Sequence, residues 1–203
     1  MRIFFLFFFV FNLNAQQSYI DYISPYHPTI SNSGMVVSQN NLSSDIGIEI
    51  LNKGGNAVDA AVAVGFSLAV TLPRAGNLGG GGFMLVYLKE KDEIFYIDYR
   101  SKSPLNASIE NIFNLNGKNI SPIDFLDDMY DKTRYGYKAP AIPGTVAGLL
   151  EAHEKFGSLP LETVLAPAIR QANQGILVSY DLEKAIDDTQ QLKKDPESLK
   201  IYF

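Results

Sequence analysis

The chain has 203 residues, of which 46% are hydrophobic and 19% are charged, a balance typical of a folded globular protein and not of a disordered one. Its formal net charge is −5, with Lys and Arg scattered along the chain, which argues against a nucleic-acid partner. Because the sequence contains no cysteine, disulfides, thiol catalysis and thiolate metal sites are excluded.

Residues 1–15 predict a secretory signal peptide that is removed from the mature protein. Arg2 gives a short positive start, Ile3–Phe11 form a continuous apolar run, and a polar stretch ending in a small residue follows. The run is too short to span a bilayer, which needs about 20 apolar residues, although an uncleaved membrane anchor is the alternative. We therefore expect an exported protein, periplasmic or extracellular, with an exposed, turn-rich lead-in over residues 16–33.

Residues 34–203 contain a continuous series of predicted elements, with no repeat and no linker that would divide it. The first, Gly34–Ser38, is a short apolar run that predicts a buried strand. Ser43 or Ser44 then predicts the cap of a helix that ends at the two glycines after Lys53.

The middle of the chain predicts a buried helix followed by a β-hairpin. Ala57–Pro73 is apolar on nearly every side, which is typical of a helix at the centre of a core. Phe83–Leu88 and Glu93–Tyr99 are rich in β-formers and flank the charged turn Lys89–Asp92. Residues 106–138 are rich in Asn, Asp and Tyr without a clear period, which predicts a long excursion on the surface.

The last third of the chain predicts three helices, each bounded by a capping residue or a glycine: residues 145–157, Leu161–Asn173, and Tyr180 to about Leu192. Thr145 and Ser179 are the expected caps, and Gly157 and Gly175 are the expected stops. Pro167 predicts a bend in the second of these helices.

The glycine run Gly79–Gly82 invites comparison with phosphate-binding loops. Gly76 and Gly81 have the spacing of a P-loop, but Gly82 stands where the motif requires Lys, and Phe83 stands where it requires Ser or Thr. A dinucleotide-binding fingerprint follows a strand and opens a helix, whereas this run has the reverse order. The run therefore favours close packing, because glycine lets two backbones, or a backbone and a substrate, meet without an intervening Cβ.

Other motifs leave one candidate binding residue. His27 and His153 belong to no HExxH or third-ligand pattern and are predicted to be ordinary surface residues, no serine lies in a GxSxG elbow, and no acid/base pair stands out. We expect no metal and no cofactor. Arg100 follows a predicted strand and precedes a turn, where a guanidinium can bind a carboxylate through two parallel hydrogen bonds; a plain surface arginine is the alternative.

From about Gly34 to about Leu192 the chain resembles the γ-glutamyltransferase family, also called γ-glutamyl transpeptidase or glutathione hydrolase. The matching blocks, in the family's order, are GGNAVDAAVAVGFSLAVTLPRAGNLGGGGFM, IDYR followed by Pro104, PGTVAGLLEAHEKFG and LPLETVLAPAIRQANQG. The resemblance implies the α+β fold of the N-terminal nucleophile hydrolases, an αββα sandwich that is incomplete in this chain. It also implies a precursor that cuts itself into a large and a small subunit.

The same resemblance implies γ-glutamyl transfer from glutathione and other γ-glutamyl compounds to water or to an amino acid. A threonine at the new N-terminus of the small subunit attacks the γ-glutamyl amide, with its own α-amine as the base. Arg100 is the expected ligand of the donor's α-carboxylate. No catalytic residue is expected in residues 34–203, which would end before that threonine. Nothing near the six threonines present resembles the nucleophile's context: Thr29, Thr71, Thr133, Thr145, Thr163 and Thr189.

Two positions depart from the family's pattern beside this arginine. Ser101 stands where the family usually has Glu, and Ser103 stands where it usually has Ala before the proline. Because a glutamate there could help to orient the substrate, one alternative is a related amide hydrolase acting on poly-γ-glutamate or on the acyl side chain of a β-lactam. A non-catalytic scaffold fragment is the other alternative.

Overall fold

A computed structural model of the chain describes residues 30–110, 133–137 and 139–203. The chain divides after Ser33 into two units, and every element below belongs to the second, Gly34–Phe203. Of the first unit only residues 30–33 are described, all of them exposed. The expected signal peptide, most of the lead-in and most of the surface excursion therefore lie outside the described residues.

The described part of the second unit contains helices around one antiparallel strand pair. In chain order its elements are α1 (Asn41–Asn52), α2 (Ala57–Thr71), α3 (Pro73–Gly76), β1 (Phe83–Leu88), β2 (Glu93–Asp98), α4 (Thr145–Phe156), α5 (Leu161–Gln174), α6 (Tyr180–Asp188), a 3₁₀ helix (Gln190–Lys194) and α7 (Pro196–Tyr202). Among these helices, none has the length and apolar character that crossing a bilayer requires. The helix predicted from Tyr180 to about Leu192 ends at Asp188 and is followed by the 3₁₀ helix, and α7 was not predicted from the sequence.

Helix α2 lies at the centre of the core, as its all-round apolar sequence predicts. Val62 and Ala63 are fully buried, and helices α1, α4 and α5 all pack against α2. The helix begins with a capping box, in which the Asn56 side chain accepts the Asp59 N–H while the Asp59 carboxylate accepts the Asn56 N–H. Small side chains keep the contact with α1 close, since a Cβ at Gly47 would stand 2.9 Å from a methyl of Val64.

Buried hydroxyl groups join three of these helices. The Ser43 hydroxyl lies 2.7 Å from that of Ser67 and 2.8 Å from that of Thr71, and Ser67 donates to the Gln171 side-chain oxygen at 2.7 Å. The prediction that Ser43 or its neighbour caps α1 is wrong. Asn40 is the cap, and because α1 begins directly after it, Ser43 lies inside the first turn and faces α2.

The predicted strand at Gly34–Ser38 is also wrong, because this segment has no regular secondary structure. Met35 and Val37 are 50% and 81% exposed, and only Val36 packs against the core. An extended segment becomes a strand by pairing with another, and no described strand pairs with this one.

The predicted hairpin is confirmed. Strands β1 and β2 pair antiparallel from Phe83 opposite Asp98 to Leu88 opposite Glu93. Successive side chains alternate between two faces, and the inner face buries Val86 and Ile97 against the helices. We call the other side the outer face of the hairpin; its apolar members, all exposed, are Phe83, Leu85, Tyr87, Ile94 and Tyr96.

The C-terminal helices begin and end largely as predicted. Ser179 caps α6 by accepting the Leu182 N–H, and Gly157 and Gly175 follow the last residues of α4 and α5. Thr145 is not a cap, because Gly144 takes that position without a side-chain hydrogen bond.

Candidate functional site

The segment that carries Arg100 continues the hairpin beyond β2. Gly82 donates its N–H to the Tyr99 carbonyl at 3.3 Å, and the Tyr99 N–H donates back to the Gly82 carbonyl at 3.1 Å. This pair extends the ladder by one position, so the alternation of faces also continues. Tyr99 therefore lies on the inner, half-buried side, and Arg100 emerges on the outer face, where it is exposed.

The glycine run lets another backbone come within van der Waals distance of this segment. A Cβ at Gly81 would overlap the Ser101 nitrogen and would stand 2.6 Å from the Tyr99 carbonyl oxygen. These are backbone atoms, which cannot swing aside as a flexible side chain can. The packing role predicted for the run is confirmed at this residue.

Two glycines at the start of α4 also approach this segment closely. A Cβ at Gly144 would overlap the Tyr99 carbonyl oxygen, and one at Gly148 would overlap the Tyr99 ring. The Gly80 carbonyl accepts the N–H groups of Gly144 at 2.8 Å and Thr145 at 3.1 Å, which fixes the start of α4 on the glycine run. The backbone around Arg100 is thereby fixed between two other stretches of chain.

A short bridge and a side chain complete the support. Lys102 and Ile142 exchange backbone hydrogen bonds of 3.1 Å and 2.8 Å, which pins the chain just after the arginine. Asp98 accepts the Arg100 N–H at 3.0 Å through its carboxylate, an Asx-type turn that directs the chain out of β2.

The guanidinium itself is available to a ligand. Its central carbon lies 5.9 Å from the centroid of the Phe83 ring, and within the described part of the chain it forms no ion pair. Arginine offers a planar fork of N–H donors that matches the two oxygens of a carboxylate. An exposed fork on a rigid backbone can therefore hold a carboxylate ligand in a defined orientation.

The two departures from the family's pattern sit differently around Arg100. Ser101 is half-buried, with its nitrogen beside Gly81, whereas Ser103 is exposed. Neither serine brings a charge to the site.

His153 is not the ordinary surface residue that the sequence predicts. Its side chain is only 14% exposed. Its Nε2 lies 2.9 Å from the Leu159 carbonyl oxygen and 3.7 Å from an Asp59 carboxylate oxygen. Since a carbonyl can only accept, Nε2 carries a proton. The turn between α4 and α5 folds over the imidazole, and a pattern read along one helix does not reveal such a contact.

Asp59 is a buried carboxylate that the sequence analysis did not single out. It accepts hydrogen bonds from the Asn56 N–H at 2.9 Å, the Ser158 hydroxyl at 2.6 Å and N–H at 3.1 Å, and the Leu159 N–H at 3.3 Å. Burial opposes its ionisation, but the hydrogen bonds from Ser158, Asn56 and Leu159 outweigh burial and hold the pKa of Asp59 below its usual value. The carboxylate thus ties the start of α2 to the α4–α5 turn. The Asn-x-x-Asp capping pattern was the signal available in the sequence.

The described residues contain no metal-binding cluster, and three of their threonines form local hydrogen bonds. Nowhere in them do three or more His, Cys, Asp or Glu side chains gather at metal-binding distance. Three threonine hydroxyls are engaged in local hydrogen bonds: Thr71 with Ser43, Thr145 with the Asn77 carbonyl and Thr189 with the Ala185 carbonyl.

Comparison with known proteins gives consistent matches. The family model described as Gamma-glutamyltranspeptidase matches residues 43–203. The glutathione hydrolase proenzyme of Escherichia coli (strain K12) is 42% identical over 158 residues, which cover 76% of this chain and 25% of that protein. The Acylase ACY 1 proenzyme of Pseudomonas sp. (strain SE83) is 37% identical over 178 residues, covering 87% of this chain and 31% of the acylase.

The solved structures agree with the sequence matches. The crystal structure of Helicobacter pylori γ-glutamyltranspeptidase superposes with a TM-score of 0.75 at 35% identity, over 87% of this chain and 48% of that one. The chain therefore spans about a quarter to a third of these two curated relatives and about half of this structure.

Proposed function

The chain belongs to the γ-glutamyltranspeptidase family, and we propose that it forms the N-terminal part of a self-cleaving precursor. Its fold is the α+β fold of the N-terminal nucleophile hydrolases. In this proposal residues 34–203 belong to the large subunit, and a small subunit from the same precursor completes the enzyme. The enzyme transfers the γ-glutamyl group of glutathione or another γ-glutamyl compound to water or to an amino acid.

The observation that carries the proposal is the placement of Arg100. Its backbone is fixed between the glycine run and the start of α4, while its guanidinium has no ion-pair partner among the described residues. A γ-glutamyl group ends in an α-carboxylate, which the arginine fork binds through charge-assisted hydrogen bonds. Fixing that end of the donor presents the γ-carbonyl to the nucleophile in one orientation, which lowers the entropic part of the barrier.

The chemical step is assigned to a threonine outside this chain. In the proposed reaction the threonine's α-amine takes the hydroxyl proton while the threonine oxygen bonds to the γ-carbonyl carbon. The amide C–N bond then breaks, which leaves an ester, and the α-amine passes the proton to the leaving amine. Water or an amino acid then cleaves the ester. The local hydrogen bonds of Thr71, Thr145 and Thr189 are compatible with a nucleophile supplied from elsewhere.

Expression of the full-length precursor in its own signal-bearing form tests the proposal. We expect two subunits on a denaturing gel, a large subunit that begins near Gln16 in the exported fraction, and release of nitroaniline from γ-glutamyl-p-nitroanilide that a dipeptide acceptor accelerates. A precursor that stays uncleaved and releases no nitroaniline would contradict the assignment. A large subunit that still begins at Met1 would contradict removal of the signal peptide.

Acylase activity is the second candidate, because the chain also matches an acylase proenzyme and carries Ser101 beside its arginine. A glutaryl anilide separates the two, since it retains the carboxylate of the γ-glutamyl donor but lacks the α-amine. An enzyme that prefers the γ-glutamyl anilide recognises both groups and is a γ-glutamyltransferase. A higher kcat/KM for the glutaryl anilide would favour the acylase.

A further inference from the structure

We propose that Phe83 is a positioning residue for Arg100, whose ring holds the guanidinium in the orientation that receives the donor's carboxylate. The inference rests on the function proposed above, because it takes Arg100 as the ligand of that carboxylate. It adds a second residue to donor recognition, one that contacts the arginine and not the substrate.

The register of the hairpin brings the two side chains together. Phe83 pairs with Asp98, and Arg100 lies two residues further along the same strand direction, so Phe83 and Arg100 are diagonal neighbours on the outer face. The two residues before Phe83 are glycines, Gly82 opposite Tyr99 and then Gly81. They place no side chain between Phe83 and Arg100. The distance of 5.9 Å from the guanidinium carbon to the Phe83 centroid lies within the range of a cation–π contact.

The ring is itself held in place. Phe83 stacks on Tyr96 with 6.1 Å between centroids and 16° between planes. Tyr96 is the partner of Leu85 in the register, so this stack crosses from β1 to β2. The Phe83 ring that the guanidinium contacts is therefore supported by a second ring on the neighbouring strand.

An aromatic ring suits this position better than an acid would. A carboxylate partner would occupy the N–H donors of Arg100 and compete with the carboxylate of the donor substrate. A ring face attracts the cation while leaving the N–H groups in the guanidinium plane free. The acid on the same face, Asp98, accepts the Arg100 backbone N–H instead.

Fluorinated phenylalanines at position 83 of the full-length enzyme test the proposal, because successive fluorines weaken the negative face of the ring while nearly preserving its shape. We expect the KM for γ-glutamyl-p-nitroanilide to rise stepwise, in total about twofold to fivefold, with kcat unchanged. Phe83→Leu should raise the KM about as much as the most fluorinated ring does. Phe83→Trp, with the strongest cation–π face, should keep the KM at or below that of the wild type. The same fluorination at Phe95, which packs against Phe156 on the inner face, is the matched control and should leave KM unchanged.

The possible results distinguish a failure of the role proposed for Phe83 from a failure of the proposed function. A flat fluorination series, together with a raised KM in Arg100→Ala, would reject the role of Phe83 and leave the proposed function standing. An unchanged KM in Arg100→Ala would reject the carboxylate ligand itself, and the positioning role with it. A KM that rises equally in the Phe95 series would mean that fluorine acts through packing, which also rejects the inference.

Discussion

Arg100 is fixed at its backbone and has an exposed side chain, so a substitution can test its role directly. We expect Arg100→Ala in the full-length enzyme to lower kcat/KM for γ-glutamyl-p-nitroanilide about 10- to 150-fold, because a charge-assisted hydrogen-bonded pair contributes about 1.5–3 kcal/mol. Arg100→Lys should recover only part of the loss, since an ammonium lacks the bidentate fork.

A substrate analogue supplies the control for that substitution. The 4-aminobutyryl anilide keeps the amine and the scissile amide but has no α-carboxylate, so Arg100→Ala should leave its slow turnover unchanged. A loss of equal size on both anilides would mean that the substitution damages the fold or the chemical step, and the assignment of Arg100 would fail.

The lowered pKa of Asp59 should make the free energy of unfolding depend on pH. Its folded-state pKa is lowered, so its contribution is complete above the unfolded pKa of about 3.9 and is lost as the pH falls through the folded value. We expect Asp59→Asn to reduce the free energy of unfolding by about 1.5–3 kcal/mol at pH 7, because an amide nitrogen would face the N–H groups of the α4–α5 turn. Urea unfolding at pH 7 and pH 3 should show the difference from the wild type shrinking at the lower pH.

Glu49 provides the comparison for this carboxylate. Its pKa is also lowered, chiefly by a hydrogen bond from Lys53, but its side chain is 34% exposed and its pairs with Lys53 and Arg170 lie at the surface. Glu49→Gln should therefore cost less than about 1 kcal/mol. Equal losses in the two variants would show that the buried position of Asp59 brings no special stability.

For single residues, the sequence predicts which residue is functional better than it predicts which residues contact it. The resemblance singled out Arg100, and the structure places it just after a strand, with no ion-pair partner among the residues that the structure describes. Phe83 and Asp59 escaped prediction because their partners are distant in sequence: Phe83 lies 17 positions before Arg100, and Asp59 binds a turn 99 residues away. Such contacts depend on tertiary packing, which local patterns do not encode.

Among the elements, the glycine run and its neighbours decide where the arginine stands. We expect Gly81→Ala to lower kcat/KM about 10- to 100-fold, because its Cβ would meet backbone atoms of Tyr99 and Ser101 and move the segment by a fraction of an ångström or more. Gly79→Ala is the matched control in the same run, since its Cβ would stand 3.1 Å from the Asn77 side-chain oxygen, which can rotate away. Similar kinetics for the two variants would contradict the role of close backbone approach.

The elements that were predicted correctly are determined by features of their own sequences. Helix α2 has its apolar composition and capping box, and the hairpin has two β-rich runs around a charged turn. Gly34–Ser38 has the composition of a strand but not its partner, and the cap of α1 fell on Asn40 because several polar residues in a row could each begin that helix. Pattern therefore predicts that an element exists more reliably than its pairing or its first residue.

For the whole molecule, we propose the outer face of the hairpin as the surface that contacts the remainder of the proposed precursor. Its five apolar side chains are between 52% and 72% exposed and lie side by side on two strands. A contiguous apolar sheet face with open strand edges favours association. In an αββα sandwich a second sheet packs on such a face, and we assign that sheet to the remainder of the proposed precursor.

We therefore expect residues 34–203, produced alone, to associate with themselves and to release no nitroaniline from the γ-glutamyl anilide. Replacing Leu85 and Ile94 together by Thr keeps strand propensity but removes apolar area, and should shift the mass measured by light scattering toward the monomer. Leu105→Thr with Leu177→Thr is the control, because these leucines lie outside the hairpin and are almost fully exposed, so replacing them should leave the mass unchanged. In the full-length precursor the hairpin pair should instead impair self-cleavage, since the second sheet loses its contact. Unaltered association of the isolated chain and normal processing of the precursor would both contradict a docking role for the outer face.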